Sequence, residues 1–86
     1  MTDSNRKYER LYLSTDTDDV RVQIHAIVDK GHYVERPSEY QLKIGAVNYY
    51  PHTGTITIDR SRRYPLKGID ALLELLEKQR ARFVTL

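Results

Sequence analysis

The segment from residue 60 to residue 67 combines positive charge with an aromatic ring. Its cations are Arg60, Arg62, Arg63 and Lys67, and Tyr64 lies among them. Guanidinium and ammonium groups bind phosphate oxygens, and aromatic rings stack on nucleic-acid bases, so this composition predicts contact with a nucleic acid. The alternative is a solvated basic loop whose arginines pair with Asp59 and Glu39.

The charge of the chain is distributed unevenly. Residues 60–86 contain seven Lys or Arg against three Asp or Glu, whereas residues 1–59 contain seven against nine. The modest net charge of +2 therefore conceals a basic C-terminal part. An asymmetry of this sign indicates an anionic partner.

Residue types that serve catalysis or metal binding lack the required spacing. The chain has no cysteine, and His25, His32 and His52 form no HExxH motif or i, i+4 pair. The acidic run DTDD at residues 16–19 lacks the glycine and distal glutamate of a calcium loop, so it is interpreted as a helix cap. No GxSxG, GxGxxG or Walker A motif occurs. We therefore expect no enzyme activity, cofactor, metal or small-molecule substrate.

The length of 86 residues gives room for one small domain, which we assign to residues 1–86 with residues 1–7 disordered. Hydrophobic residues make up 40% and charged residues 30%, as is typical of globular proteins. No apolar run approaches the roughly 20 residues of a membrane helix, and the polar N-terminus lacks a signal core. We expect a cytoplasmic protein without membrane contact.

The middle of the chain predicts a three-stranded antiparallel meander over about 40–44, 47–50 and 55–59. Gly45-Ala46 is typical of a two-residue hairpin turn, and residues 51–54 (PHTG) of a four-residue loop. The resulting register gives one apolar face: Leu42, Ile44, Val47, Tyr49, Ile56 and Ile58. The opposite face is polar: Gln41, Lys43, Asn48, Tyr50, Thr55 and Thr57. The two turns are assigned independently from their residue types, and both place the same set of apolar residues on one face of the sheet.

Apolar residues at helical spacing predict a C-terminal helix over about 69–82. Its stripe consists of Ile69, Leu72, Leu73 and Leu76. A second helix is predicted over about 18–30, because aspartates precede its apolar stripe and Gly31 follows it. The alternation in VRVQIHAIV also permits a fourth strand over 20–28.

The predicted fold class is α+β, with the meander packed against helices on one face. Residues 32–36 are a further candidate for a short strand, which Pro37 is expected to end. In this arrangement the polar face of the sheet stays open to a ligand.

The predicted nucleic-acid-binding residues combine the basic segment with the open sheet face. They are Arg60, Arg62, Arg63, Lys67, Tyr64, Tyr50 and Lys43. Lys67 and Gly68 immediately precede the last helix, whose free N–H groups attract phosphate. The first hypothesis is therefore a small non-enzymatic nucleic-acid-binding module.

A protein-interaction module is the second hypothesis. The chain has seven tyrosines and an apolar C-terminal tail, and tyrosine is enriched at protein interfaces. The interaction surface predicted on this basis consists of Tyr50, Phe83, Val84 and Leu86. Its partner is either a second copy of the chain or a host protein that a phage or mobile-element product regulates or inhibits.

The predicted α-β-β-β-α order, with RSRRYPLKG before the last helix, is similar to the double-stranded-RNA-binding domain. In that family the loop and the N-terminus of the last helix contact phosphates across a groove. The resemblance implies this role for Arg60 through Lys67. The glycine-rich, lysine-pair motif of the family is absent from this sequence.

A second resemblance rests on YYPHTGT at residues 49–55, followed by Gly68 and a leucine-rich helix. This combination looks like small proteins of bacteria and of their phages or plasmids. It implies a bacterial or mobile-element origin and names no activity.

Overall fold

The computed structural model describes the backbone of residues 11–61 and 63–84 and the side chains of residues 11–61 and 63–80. Two helices and four strands follow one another as α1 (Asp18–Asp29), β1 (Glu35–Ser38), β2 (Gln41–Ile44), β3 (Val47–Tyr50), β4 (Thr55–Ile58) and α2 (Ile69–Val84). The strands form one antiparallel sheet in the order β1-β2-β3-β4. The predicted α+β class and both predicted helices are confirmed. The disorder expected for residues 1–7 lies outside the described residues.

Helix α1 begins where the sequence provides a cap. The Thr17 hydroxyl oxygen accepts a hydrogen bond from the Val20 N–H at 3.2 Å, and two aspartates occupy the positive first turn. The apolar stripe of α1 is buried at Val20, Ile24 and Ile27. The alternative interpretation of residues 20–28 as a strand is therefore wrong, because the capped helical stripe outweighs the β propensity of the valines and isoleucines.

The predicted meander is confirmed in its register. Leu42 pairs with Tyr49, and Tyr49 pairs in turn with Ile56. Because directly paired residues share a sheet face, the apolar side chains of β2, β3 and β4 lie together. The two short turns therefore determine which face is buried.

The sheet has a fourth strand, and its position corrects one expectation. Pro37 was expected to end the strand after Arg36, yet it lies inside β1. The register of β1 against β2 is irregular between Glu35 and Ser38, which marks a bulge. Proline is tolerated here because β1 is an edge strand, which pairs with a neighbour on one side only.

Both helices pack on the apolar face of the sheet. The buried apolar cluster consists of Leu11, Val20, Ile24, Ile27, Val34, Leu42, Ile44, Val47, Tyr49, Ile56, Leu72, Leu75 and Leu76. It draws members from α1, α2 and all strands of the meander, so the two helices and the sheet form one core. Neither helix of the described residues combines the length and the apolar character needed to cross a membrane.

Candidate functional site

The basic segment begins with a tight turn after β4. The Asp59 N–H donates to the Ala46 carbonyl at 2.8 Å, and the Ser61 N–H donates to the Ile58 carbonyl at 2.9 Å. Arg60 has a positive φ of 61°, the only such non-glycine value among the described residues. A non-glycine residue in this region is strained, so the turn holds Arg60 in a conformation that the surrounding bonds enforce.

After this turn the chain runs back along the outer edge of β4. Arg63 forms an antiparallel bridge with Thr57, and the Tyr64 N–H donates to the Ile56 carbonyl at 2.9 Å. Arg63 lies in an exposed position. The basic segment is thus fixed by its backbone to the sheet, and its charged side chains are left available.

The returning segment ends at the N-terminus of α2. The Gly68 N–H donates to the Gly54 carbonyl at 2.8 Å, and the Gly68 carbonyl accepts from the Leu72 N–H at 3.0 Å. Lys67 is exposed directly before this junction. Arg60, Arg63 and Lys67 therefore lie along one edge of the sheet, which we call the basic edge. Arg62, also predicted as a phosphate contact, lies outside the described residues.

A row of paired residues crosses the open face of the sheet. From one edge to the other its members are Glu35, Lys43, Asn48, Thr57 and Arg63. Paired residues of antiparallel strands point to the same face, so Arg63 lies on the polar face together with Lys43. The bridge between Arg63 and Thr57 thus joins the basic segment to the open face.

Asn48 is the centre of a hydrogen-bond network on this face and is only 7% exposed. Its Oδ1 accepts from Gln41 Nε2 at 2.9 Å and from Lys43 Nζ at 3.1 Å. Its Nδ2 donates to Thr57 Oγ1 at 3.2 Å and to Asp59 Oδ1 at 2.9 Å. Both donors and both acceptor positions of the amide are used, so the network holds the open face in one arrangement.

The charge of Lys43 is compensated within this network. Its Nζ lies 2.7 Å from Asp59 Oδ2. The hydrogen bonds from Lys43 and then Asn48 lower the pKa of the Asp59 carboxyl below its ordinary value of 3.8. Asp59 therefore pairs with Lys43, with a smaller attraction from Arg60, and the positive charge left to a ligand belongs mainly to Arg63 and Lys67 of the basic edge. Among the described residues no ion pair involves Arg60, Arg63 or Lys67.

The two tyrosines predicted to stack on bases occupy different places. Tyr50 is half-buried and pairs with Thr55, which places it on the open face. Tyr64 is also half-buried, but it packs against the hydrophobic core. Only Tyr50 therefore shares a face with Arg63. The side chains of Phe83 and Val84, and Leu86 altogether, lie outside the described part of the chain.

A cavity of about 390 Å³ lies on the helix side of the sheet. It is bounded by α1, the loop of residues 51–54 and the start of α2. The Tyr49 hydroxyl donates to Gln23 Oε1 at 2.5 Å, and Gln23 Nε2 donates to Asp19 Oδ2 at 2.9 Å. Burial raises the pKa of Tyr49 from 10.0 to about 12, with a smaller contribution from the nearby carboxylates. The buried polar groups of the cavity thus satisfy one another as a neutral phenol and an amide.

Sequence reasoning missed the Gln23–Tyr49 pair and the ion pair between Asp16 and Arg36. The residues of these pairs are 26 and 20 positions apart in the chain, and no local pattern connects them. The residue type of Gln23 was the only indication in the sequence. A glutamine beside the buried apolar stripe of α1 needs a hydrogen-bond partner. In residues 11–61 and 63–84 no group of three His, Asp or Glu side chains could hold a metal ion.

No protein-family model, no curated protein and no solved structure matches this chain. The similarities to the double-stranded-RNA-binding domain and to small bacterial and phage proteins therefore stay predictions.

Proposed function

We propose that the protein is a small non-enzymatic module that binds the phosphate backbone of a nucleic acid through its basic edge. The single observation that supports this proposal is the arrangement of Arg60, Arg63 and Lys67. All three are exposed, they follow one edge of the sheet, and none forms an ion pair within the described residues. Unpaired cations in a row complement a regularly charged polymer.

The length of the basic edge suits a few phosphates. The returning segment follows β4, whose four residues span about 13 Å at roughly 3.3 Å per residue. Three exposed cations, Arg60, Arg63 and Lys67, are distributed along this edge. The edge therefore suits about three phosphates of one backbone, one for each cation.

The expected affinity is modest. Binding that depends on a few phosphate contacts lies at about 10⁻⁴–10⁻⁶ M at physiological salt and tightens as salt is removed. The resemblance of YYPHTGT to small bacterial and phage proteins supports an origin in a bacterium or its mobile elements. In a bacterial cell, the nucleic acid available to such a protein is in the cytoplasm.

A charge-reversal experiment tests the proposal. Fluorescence anisotropy with labelled DNA and RNA oligonucleotides, at low and near-physiological salt, compares the full chain with Arg63→Glu/Lys67→Glu. We expect the affinity of the double variant to fall at least tenfold. The matched control is Lys78→Glu/Lys30→Glu, which reverses two exposed lysines away from the edge and should change the affinity less than threefold.

Thermal unfolding of the same variants separates binding from folding. Arg63 and Lys67 are exposed and form no ion pair with the residues that the structure describes, so their replacement should leave the melting temperature within a few degrees. Unchanged affinity in the double variant, or an equal loss in the control, would exclude the basic edge as the phosphate contact.

A protein-interaction module is the second candidate function, and one observation favours it. Val22 on α1 is 66% exposed and borders the cavity together with Ala26 and Ile69. An exposed aliphatic side chain beside a recess of mixed polar and apolar lining suits a second copy of the chain. Light scattering at high micromolar concentration should then show a dimer that Val22→Glu dissociates and Arg21→Glu preserves. A monomer at every concentration would contradict this function.

A further inference from the structure

The two edges of the open face carry opposite charge. Glu35 lies exposed at the β1 edge, and Arg63 lies exposed at the other end of the same cross-sheet row. Between them the charge of Lys43 is compensated by Asp59. Glu39, in the turn after β1, is also exposed and adds negative charge near the β1 edge. A polyanion bound to this face is attracted at one edge and repelled at the other.

The width of this cross-sheet row determines how many phosphate backbones of a nucleic acid the open face can bind. Four inter-strand steps separate Glu35 from Arg63, and at about 4.8 Å each they span about 19 Å. The two backbones of a duplex lie about 12 Å apart across the major groove. With one backbone on the basic edge, the second lies about 12 Å across the row, between Asn48 and Lys43 and about 7 Å from the exposed Glu35. The charge of Lys43 is already compensated there by Asp59, so the second backbone meets no free cation of the row and approaches a carboxylate. The face therefore accommodates one phosphate backbone.

Tyr50 provides a site for an unpaired base on the same face. Tyr50 lies two residues along β3 from Asn48, and β3 is two strand spacings away from Arg63. The Cα atoms of Tyr50 and Arg63 are therefore about 12 Å apart. Arg63 and Tyr50 share one face of the sheet, so they can contact a phosphate and a base of one strand. Bases of a single strand can stack on an aromatic ring, whereas those of a duplex are already stacked and paired.

From these observations we infer that the ligand is a single-stranded nucleic acid. Its backbone follows the basic edge, a base stacks on Tyr50, and the acidic β1 edge excludes a duplex. This inference rests on the proposed function and adds the strandedness of the ligand, which the resemblance to the double-stranded-RNA-binding domain would assign differently.

The test compares a labelled non-self-pairing 12-mer with the same sequence in a duplex, for both DNA and RNA. We expect the full chain to bind the single strand at least tenfold more tightly than the duplex. Glu35→Lys should raise the affinity for the duplex at least fivefold and change that for the single strand less. Asp29→Lys makes the same charge change at the end of α1, away from the sheet row, and should not favour the duplex.

Substitution of Tyr50 tests the base contact. Tyr50→Leu should weaken single-strand binding about tenfold without affecting the duplex, and Tyr50→Phe should restore it. Equal affinity for both forms, insensitive to Glu35→Lys and to Tyr50→Leu, would overturn the inference and leave the phosphate-binding proposal standing. Absence of binding to either form at low salt would overturn both.

Discussion

Arg36 and Asp16 form a two-point ion pair that is almost withdrawn from solvent. Arg36 Nη2 lies 2.7 Å from Asp16 Oδ1, Nη1 lies 2.9 Å from Oδ2, and the two side chains are 3% and 2% exposed. The remaining guanidinium donors reach the carbonyl oxygens of Leu11, Ser38 and Glu39. The pair therefore joins the turn before α1 to the edge strand β1, and every donor has a partner.

Removing one partner of this pair should destabilise the fold severely. Arg36→Ala leaves the Asp16 carboxylate and three carbonyl oxygens without their donor, and we expect a loss of about 3–5 kcal/mol of unfolding free energy. Urea unfolding followed by circular dichroism measures the change. Lys78→Ala, at an exposed position of α2, should change stability by less than about 0.5 kcal/mol. A loss below about 1 kcal/mol for Arg36→Ala would show that the ion pair contributes little.

Stability should decrease in acid because two carboxylates are held in their charged form. Arg36 lowers the pKa of Asp16, and Lys43 lowers that of Asp59, below the ordinary value of 3.8. A carboxyl whose pKa is lower in the folded state binds fewer protons there, so its full stabilisation is present above the unfolded value of about 3.9. That stabilisation is lost as the pH falls through the folded-state pKa.

Urea unfolding at a series of pH values between about 6 and 2 tests this dependence. The double variant Asp16→Asn/Asp59→Asn should start less stable and lose less stability on acidification than the natural chain. Equally steep profiles would assign the acid sensitivity to other carboxylates.

The meander was predictable because its determinants are local. Gly45-Ala46 sets the β2–β3 register, and the strict alternation of apolar residues around Tyr49 leaves one consistent face. Strand β1 was predicted only in part, because its sequence contains Pro37 and an arginine whose partner lies 20 residues away. Its pairing depends on an edge position and an ion pair, neither of which follows from local propensity.

The candidate site was predictable as a composition but not as a surface. The charge and exposure of Arg63 follow from its place in a basic loop. The face of the sheet on which Arg63 lies depends on the bridge to Thr57. The ion pair of Lys43 with Asp59 spans 16 positions, so the charge compensation becomes visible only in the folded chain. Long-range pairing therefore decides which of the predicted cations stay available.

The buried hydroxyl of Tyr49 should contribute to stability through Gln23. Tyr49→Phe removes the donor to Gln23 Oε1 and leaves a buried acceptor unpaired, which costs about 1–3 kcal/mol. Thermal and urea unfolding measure the loss. The loss in the double variant Tyr49→Phe/Gln23→Leu should be smaller than the sum of the two single losses, because neither side of this hydrogen bond is then left unsatisfied. Gln23→Leu alone also removes the donor to the buried Pro51 carbonyl. Additive losses in the double variant would contradict this coupling.

The close approach of Gly54 to Gly68 should make Gly54 intolerant of a side chain. Gly54 has a φ of +79°, and a Cβ there would lie 3.1 Å from the Gly68 nitrogen. Gly31 has a φ of +89°, but its nearest neighbour would be the flexible end of Arg80 at 3.8 Å. Gly31→Ala should therefore cost about 1 kcal/mol, and Gly54→Ala about 2 kcal/mol or more, in unfolding free energy. Equal losses would show that the contact adds nothing to the backbone strain.

The salt dependence of binding should report the number of phosphates at the basic edge. For a single strand each contact contributes about −0.7 to the slope of log affinity against log salt, so three contacts give about −2. Arg63→Gln removes one contact and should make the slope shallower by about 0.7. Tyr50→Leu should lower the affinity at every salt concentration and leave the slope unchanged, because stacking releases no counterions. Anisotropy titrations from about 25 to 200 mM salt distinguish the two effects. A slope near zero for the natural chain would mean that the bound ligand is not held by its phosphates.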